Sequence, residues 1–161
     1  MLWQLAQQGK EDGDDESFTR RLGEWIVLDT GSTFHMFTNR SLLQDIKSMR
    51  RGMTYMTNVG QRRINKCGSH RSLIDVWLDD DASTNIVSYS KLVDQGYRII
   101  SDTDQGDAFF VFPPERGDCV VFSHYPEGLY FHAPGGTIPK DVQHAYNGMI
   151  ESVEKNQNEV H

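Results

Sequence analysis

The stretch Trp25-Ile26-Val27-Leu28-Asp29-Thr30-Gly31-Ser32 decides how the rest of the chain is read. Its first half is apolar and rich in strand formers, and its second half is polar turn chemistry. A short apolar run bounded this abruptly predicts a buried strand feeding a tight loop. The aspartate at the junction carries the chemical meaning. Peptide hydrolysis without a metal or a protein nucleophile needs a water activated between two carboxylates, one ionised as base and one protonated as acid. Two carboxylates a few Å apart share a proton because both cannot ionise at that separation. Their apparent pKa values then belong to the pair. The neighbours suit this task. Gly31 lets the backbone approach the carboxylate closely, Ser32 is placed to donate to its outer oxygen, and Thr30 carries a hydroxyl able to hydrogen-bond across a dimer interface. Asp-Thr-Gly also makes ordinary turns, so the surrounding chain has to decide.

Downstream, Ser41 caps an expected short helix running through Lys47, with Leu42, Leu43 and Ile46 on one face. Met53 to Lys66 reads as a hairpin that turns at Asn58-Val59-Gly60, and Gly68-Ser69-His70 reads as a second turn. Leu73 to Leu78 is the next strand, closed by Asp79-Asp80-Asp81. Asn85-Ile86-Val87 opens a further element, and Ser88 to Gln95 reads as a helix with Gly96 as its stop. Tyr97 to Ser101, Ala108 to Phe112, Cys119 to Phe122 and Leu129 to His132 read as strands. Short strands at this spacing indicate a mainly β domain.

Several of these segments, in this order, resemble the protease of copia-type retrotransposons. Trp25 to His35 resembles the active-site segment of that family, Trp-Ile-x-Asp-(Ser/Thr)-Gly-(Ala/Ser) with a nearby His. Leu42-Leu43-x-x-Ile46, Thr57-Asn58-x-Gly60, Asn85-Ile86-Val87-Ser88 and Gly96-Tyr97-Arg98-Ile99 continue the likeness. Gly128-Leu129-Tyr130 is similar to the start of the region between protease and integrase, and Ser152 to Asn156 to a stretch just before the integrase zinc-binding part. The likeness covers roughly residues 24–132.

The resemblance implies a retropepsin-like fold: a small closed β barrel with a flap hairpin and one or two short helices, working as a homodimer. It implies catalysis by Asp29 with Thr30 and Gly31, each subunit supplying one carboxylate to act on a peptide of its own polyprotein. It assigns substrate contacts to Ser32 and to Thr57, Asn58, Val59 and Gly60 on the flap. It implies no cofactor and no metal, and a cytoplasmic setting within virus-like particles. Retroviral relatives carry a hydrophobic-hydrophobic-Gly segment beside the active loop. Here Ile86-Val87-Ser88 stands in that place, as in many copia-type elements. An inactive or latent dimerising, peptide-binding module is the alternative that the same resemblance allows.

The chain has 161 residues, 37 % of them hydrophobic and 24 % charged, which is enough for one domain with tails. Residues 1–22 are expected to be an acidic, flexible linker, since Glu11 to Glu16 is dense in like charge. Residues 23–133 form the expected protease domain, and 134–161 a linker and helical tail. Only one Asp-(Thr/Ser)-Gly occurs, and the length is too short for a two-lobed pepsin, so a dimer is expected. The formal net charge of −7 disfavours general nucleic-acid binding. The basic residues Lys47, Arg50, Arg51, Arg62, Arg63 and Lys66 are local and read as a solvated hairpin face. No apolar run reaches the roughly 18 residues of a membrane span. Two cysteines and no apolar leader fit a reducing intracellular compartment.

Other constellations are incomplete. Cys67-Gly68-Ser69-His70 has half of a zinc-site spacing with no paired half. Asp102-x-Asp104-x-Gly106-Asp107 has its glycine one place early for a calcium loop and no closing Glu. His35 is placed to tune the active loop, but a packed or surface histidine is the simpler expectation.

Overall fold

A computed structural model describes residues 22–104, 106–115, 117–125 and 128–135, together with Asn147, Glu151 and Lys155. Residues 1–21 of the acidic linker expected over 1–22 lie outside the described residues, while Leu22, its last residue, is helical and buried against Val27 and Phe131 rather than part of a solvated linker. Most of the helical tail expected after 136 also lies outside the described residues; of it, Asn147, Glu151 and Lys155 are helical. No helix among the described residues is long and apolar enough to cross a membrane.

The chain is mainly β, as its pattern of short runs and turns predicts. Ten strands follow in sequence: β1 (Ile26–Asp29), β2 (His35–Phe37), β3 (Gln44–Thr57), β4 (Gly60–His70), β5 (Leu73–Leu78), β6 (Asn85–Ser88), β7 (Arg98–Asp102), β8 (Gly106–Phe112), β9 (Val120–His124) and β10 (Tyr130–His132). A helix, α1 (Tyr89–Asp94), follows β6 directly. Ser88 caps it by accepting the Lys91 N–H, and Gly96 follows its end as expected.

All ten strands belong to one sheet, ordered β3-β4-β5-β2-β6-β1-β10-β9-β8-β7. β1 lies near its middle, parallel to β6 and antiparallel to β10. That position explains its composition. A strand flanked on both sides and covered on both faces reads as a continuous apolar run. Ile26 and Leu28 enter the main core while Val27 packs with Leu22 and Phe131 on the other face. Burying each such side chain is worth about 1.5–3 kcal/mol, which fixes the strand end that carries Asp29.

The closed barrel expected from the resemblance is not formed. The sheet has two free ends, β3 and β7. It nevertheless curls, because Leu73 and Val76 of β5 share one core with Val111 of β8 and Phe122 of β9. Between the β4–β5 turn and the residue before β7, the Ser72 hydroxyl meets the Tyr97 hydroxyl at 3.0 Å. A cavity of about 60 Å³ lies here, lined by Leu73, Val87, Leu92, Tyr97, Phe122 and His132 among others. β3 pairs only with β4 and leaves its other edge free, and the exposed residues of this strand include Lys47, Arg50 and Arg51. Charged edges oppose further strand pairing.

Three local expectations are corrected. The helix expected from Ser41 to Lys47 is only a 3-10 turn, Arg40–Leu42, capped by Asn39, whose Oδ1 accepts the Ser41 N–H. The following residues pair with β4 instead (Gln44 with Ser69, Lys47 with Cys67), so cross-strand bonds outcompete a single helical turn. The hairpin is therefore longer than Met53 to Lys66. Gly68-Ser69-His70 is strand rather than turn, and the chain reverses at Arg71 and Ser72. Gly68 is a spacing residue: a Cβ there would stand 2.8 Å from the Gln44 carbonyl oxygen, so only glycine lets β3 come this close.

Candidate active site

Asp29 sits at the carboxyl end of β1, opposite Ser88 of β6 in the parallel register. Its carboxylate is held from both sides. The Gly31 N–H donates to Oδ1 at 2.8 Å, and the Ser32 hydroxyl donates to Oδ2. The Ser32 bond is the one read from the sequence, whereas Gly31 contributes its N–H and a Cβ there would stand 3.4 Å from Oδ1. Thr30 and Gly31 are exposed, whereas Asp29 and Ser32 are half-buried. The loop thus presents its backbone outward while fixing the acid inward.

Ser88 answers how the loop is supported without the glycine of the retroviral pattern. Its hydroxyl donates to the Ser32 carbonyl oxygen at 2.6 Å and accepts the Lys91 N–H at 3.1 Å. The Ser90 hydroxyl reaches the same Ser32 oxygen at 3.2 Å. One buried side chain therefore caps the helix and ties it to the Asp29 loop.

His35 is fully buried at the start of β2. Nδ1 accepts the Ser88 N–H at 3.0 Å, and Nε2 donates to Gln95 Oε1 at 2.9 Å. Burial holds its pKa below the ordinary histidine value, against the Gln95 hydrogen bond that raises it. The packed-histidine expectation holds, and the ring also contacts Ser88, which is bonded to the Asp29 loop.

Asn85 makes a further brace. Its Oδ1 accepts from Thr38 N at 3.0 Å and Asn39 N at 2.9 Å, while Nδ2 donates to the Gly23 and Trp25 carbonyls at 3.0 Å each. It joins the entry of β1 to the exit of β2.

The hairpin tip consists of Thr57, Asn58, Val59 and Gly60, the residues the resemblance assigns to substrate. Thr57 is opposite Gly60, so Asn58 and Val59 form a two-residue turn. Thr57 Oγ1 donates to Gly60 O and accepts the Val59 N–H, which commits its side chain to the turn. Gly60 adopts φ +127, a conformation that other residues avoid. Val59 is 85 % exposed and nearby Met56 is 69 % exposed, so the tip offers apolar surface to whatever it covers.

Below the tip, the hairpin is tied down by a group that sequence reading did not assemble. Arg62, opposite Tyr55 in the ladder, makes a two-pronged bond to Asp79 through Nε at 2.7 Å and Nη2 at 2.6 Å. The Tyr55 hydroxyl donates to Asp79 Oδ2 at 2.5 Å, and Arg62 reaches Asp81 at 3.2 Å. Asp79 is only 3 % exposed. Burial alone raises its pKa, but the bonds from Arg62, Tyr55 and the Asp81 N–H outweigh it and hold the carboxyl below its ordinary value. Burial, together with the Asp79 contact, pushes the Tyr55 phenol up to about 12. The Tyr55 ring also meets Phe34 edge-on, with centroids 5.7 Å apart. The hairpin thereby touches the segment that leaves the Asp29 loop. The signal in the sequence was charge complementarity: a basic hairpin followed by Asp79-Asp80-Asp81.

Cys67 is buried within the sheet, and His70 Nδ1 is 2.7 Å from the Leu42 carbonyl oxygen. Among the described residues, no three His, Cys, Asp or Glu side chains converge as metal ligands.

No family model, curated protein or solved structure matches this chain.

Proposed function

We propose that this chain is the aspartic endopeptidase of a copia-type retrotransposon, acting as a homodimer on its own polyprotein. The observation that carries the reading is the Asp29 loop. A single carboxylate stands at the end of a buried strand, with Gly31 N–H and the Ser32 hydroxyl on its two oxygens. Half of a carboxylate dyad is thereby fixed in orientation, and a second copy of the chain supplies the other half. The exposed Thr30 is available to that second copy.

In the dimer, one Asp29 is ionised and takes a proton from water while the water oxygen bonds to the scissile carbonyl carbon. The protonated partner carboxyl hydrogen-bonds the carbonyl oxygen. Collapse of the tetrahedral species breaks the C–N bond as the departing nitrogen takes a proton from the dyad. Retropepsin-like folding and dimer formation belong to this proposal. The long β3–β4 hairpin supports it, since it is suited to lie over an extended peptide whose backbone pairs in strand fashion.

The test is cleavage of a polyprotein fragment spanning the upstream region, by the parent chain and by Asp29→Asn, from about pH 4 to 7.5. Cutting by the parent and none by a folded Asp29→Asn is the expected result. Processing that survives the substitution refutes the assignment.

A further inference from the structure

His35 lies six residues beyond Asp29 with both ring nitrogens engaged. An amide N–H can only donate, so the Ser88 N–H at 3.0 Å requires a lone pair on Nδ1. The proton therefore resides on Nε2 and is donated to Gln95 Oε1. Gln95 is itself oriented, because its Nε2 donates to the Ile74 carbonyl at 3.1 Å. On the other side, the Ser88 hydroxyl donates to Ser32 O, and the Ser32 hydroxyl donates to Asp29. Gln95, His35, Ser88, Ser32 and Asp29 thus form one line from the end of α1 to the carboxylate.

We propose that neutral His35 is a positioning residue that holds the Asp29 loop through Ser88 and Ser32, and that its protonation loosens the loop and slows catalysis at acid pH. The inference rests on Asp29 being the catalytic carboxylate. An imidazolium carries a proton on both nitrogens. The Nδ1 proton would then face the Ser88 N–H, donor against donor. The Ser88 backbone has to withdraw, and its hydroxyl leaves Ser32 O with it. The groups that bear on the ring come from three elements. Lys91 on α1 disfavours the charged ring, Asp75 on β5 favours it, and β6 faces it with the Ser88 amide. Burial, with Lys91 acting in the same direction, outweighs the Gln95 hydrogen bond and Asp75 and holds the pKa below the ordinary histidine value.

The experiment compares cleavage profiles of the parent, His35→Phe, His35→Asn and Gln95→Glu over about pH 4 to 7.5. Asn places a carbonyl oxygen near the position of Nδ1 and does not titrate. Phe removes the acceptor, so kcat is expected to fall by about tenfold or more with KM little changed. His35→Asn should recover much of that loss and shift the acid limb to lower pH. Gln95→Glu sets a carboxylate against Nε2–H and should move the limb up by about one pH unit. An active parent whose acid limb coincides with those of His35→Asn and Gln95→Glu overturns the role of His35 and leaves that of Asp29 standing. A folded parent that never cleaves removes the catalytic reading itself. Nitrogen NMR of the folded chain reads the linkage without activity. The expected spectrum shows the Nε2–H tautomer near neutral pH, with Ser88 and Ser32 amide shifts following the His35 titration. An Nδ1–H tautomer, or a Ser32 amide indifferent to that titration, overturns the linkage directly.

Discussion

Ser88→Ala removes one oxygen from a position that is completely buried. A 3.2 Å contact with the Ser90 hydroxyl is lost with it, and two stronger bonds carry the cost. The first is the cap to the Lys91 N–H at 3.1 Å. Replacing a serine N-cap by alanine typically costs about 1 kcal/mol. The second is the 2.6 Å bond to the Ser32 carbonyl, a net contribution of about 1 kcal/mol. Ser90 retains its 3.2 Å contact with the same oxygen, so Ser32 O is not orphaned and no larger penalty is expected. The sum is about 2 kcal/mol, which for a domain of this size corresponds to a fall of roughly 10 °C in Tm. Urea unfolding followed by tryptophan fluorescence measures the first, and a thermal scan the second. Cleavage should drop more than stability predicts, because the lost bond steadies the Asp29 loop. Ser88→Gly should lose the same bonds and add backbone freedom. A change below about 0.5 kcal/mol with cleavage intact would show that the hydroxyl does not support the loop.

The other predictions concern the braces around this loop. Asp79→Asn should weaken the two-pronged Arg62 bond and the Tyr55 bond, and release the hairpin. Hydrogen exchange should then rise at residues 53–64 while β1 stays protected, and uniform protection would count against the anchor. Asn85→Ala deletes four bonds joining β1, β2 and β6, worth about 2–4 kcal/mol in total, to be read by urea denaturation. Burial lowers the pKa of His35, His70 and His132 from 6.5. The folded chain then binds fewer protons than the unfolded chain below that value. Their contribution to stability is complete above about pH 6.5 and is lost as pH falls. Denaturation at about pH 7.5 and 5.5 should show the weaker fold at the lower pH, and equal midpoints would contradict it.

The short-range signals were legible because each is complete within a few residues. The apolar run from Trp25 to Leu28 reads most naturally as a buried strand, which forms at Ile26–Asp29, and the Asp29 loop makes its bonds to Gly31 and Ser32 within three residues. Gly96 follows the end of α1 as the stop expected from sequence, while Ser88, read as the first helical residue, ends β6 and caps the helix. Ser41 to Lys47 misled for the converse reason. Its apolar spacing suits a helix, but seven residues of helix are marginal, and pairing with β4 offered more bonds. The hairpin was visible, but its length was not, because Gly68 resembles a turn residue until β3 is seen against it.

What the sequence determined by itself is a mainly β chain with one Asp-Thr-Gly loop, since strand periodicity and turn chemistry act between neighbours. What only the tertiary structure decided is what holds that loop and its hairpin. Arg62 finds Asp79 across 17 residues, His35 meets Ser88 across 53, and Ser88 reaches Ser32 across 56. The meeting of Ser72 with Tyr97 across 25 residues is of the same kind. Each depends on how a twisted sheet curls around its core, and no local pattern encodes that curl because it is the sum of all the strand pairings at once.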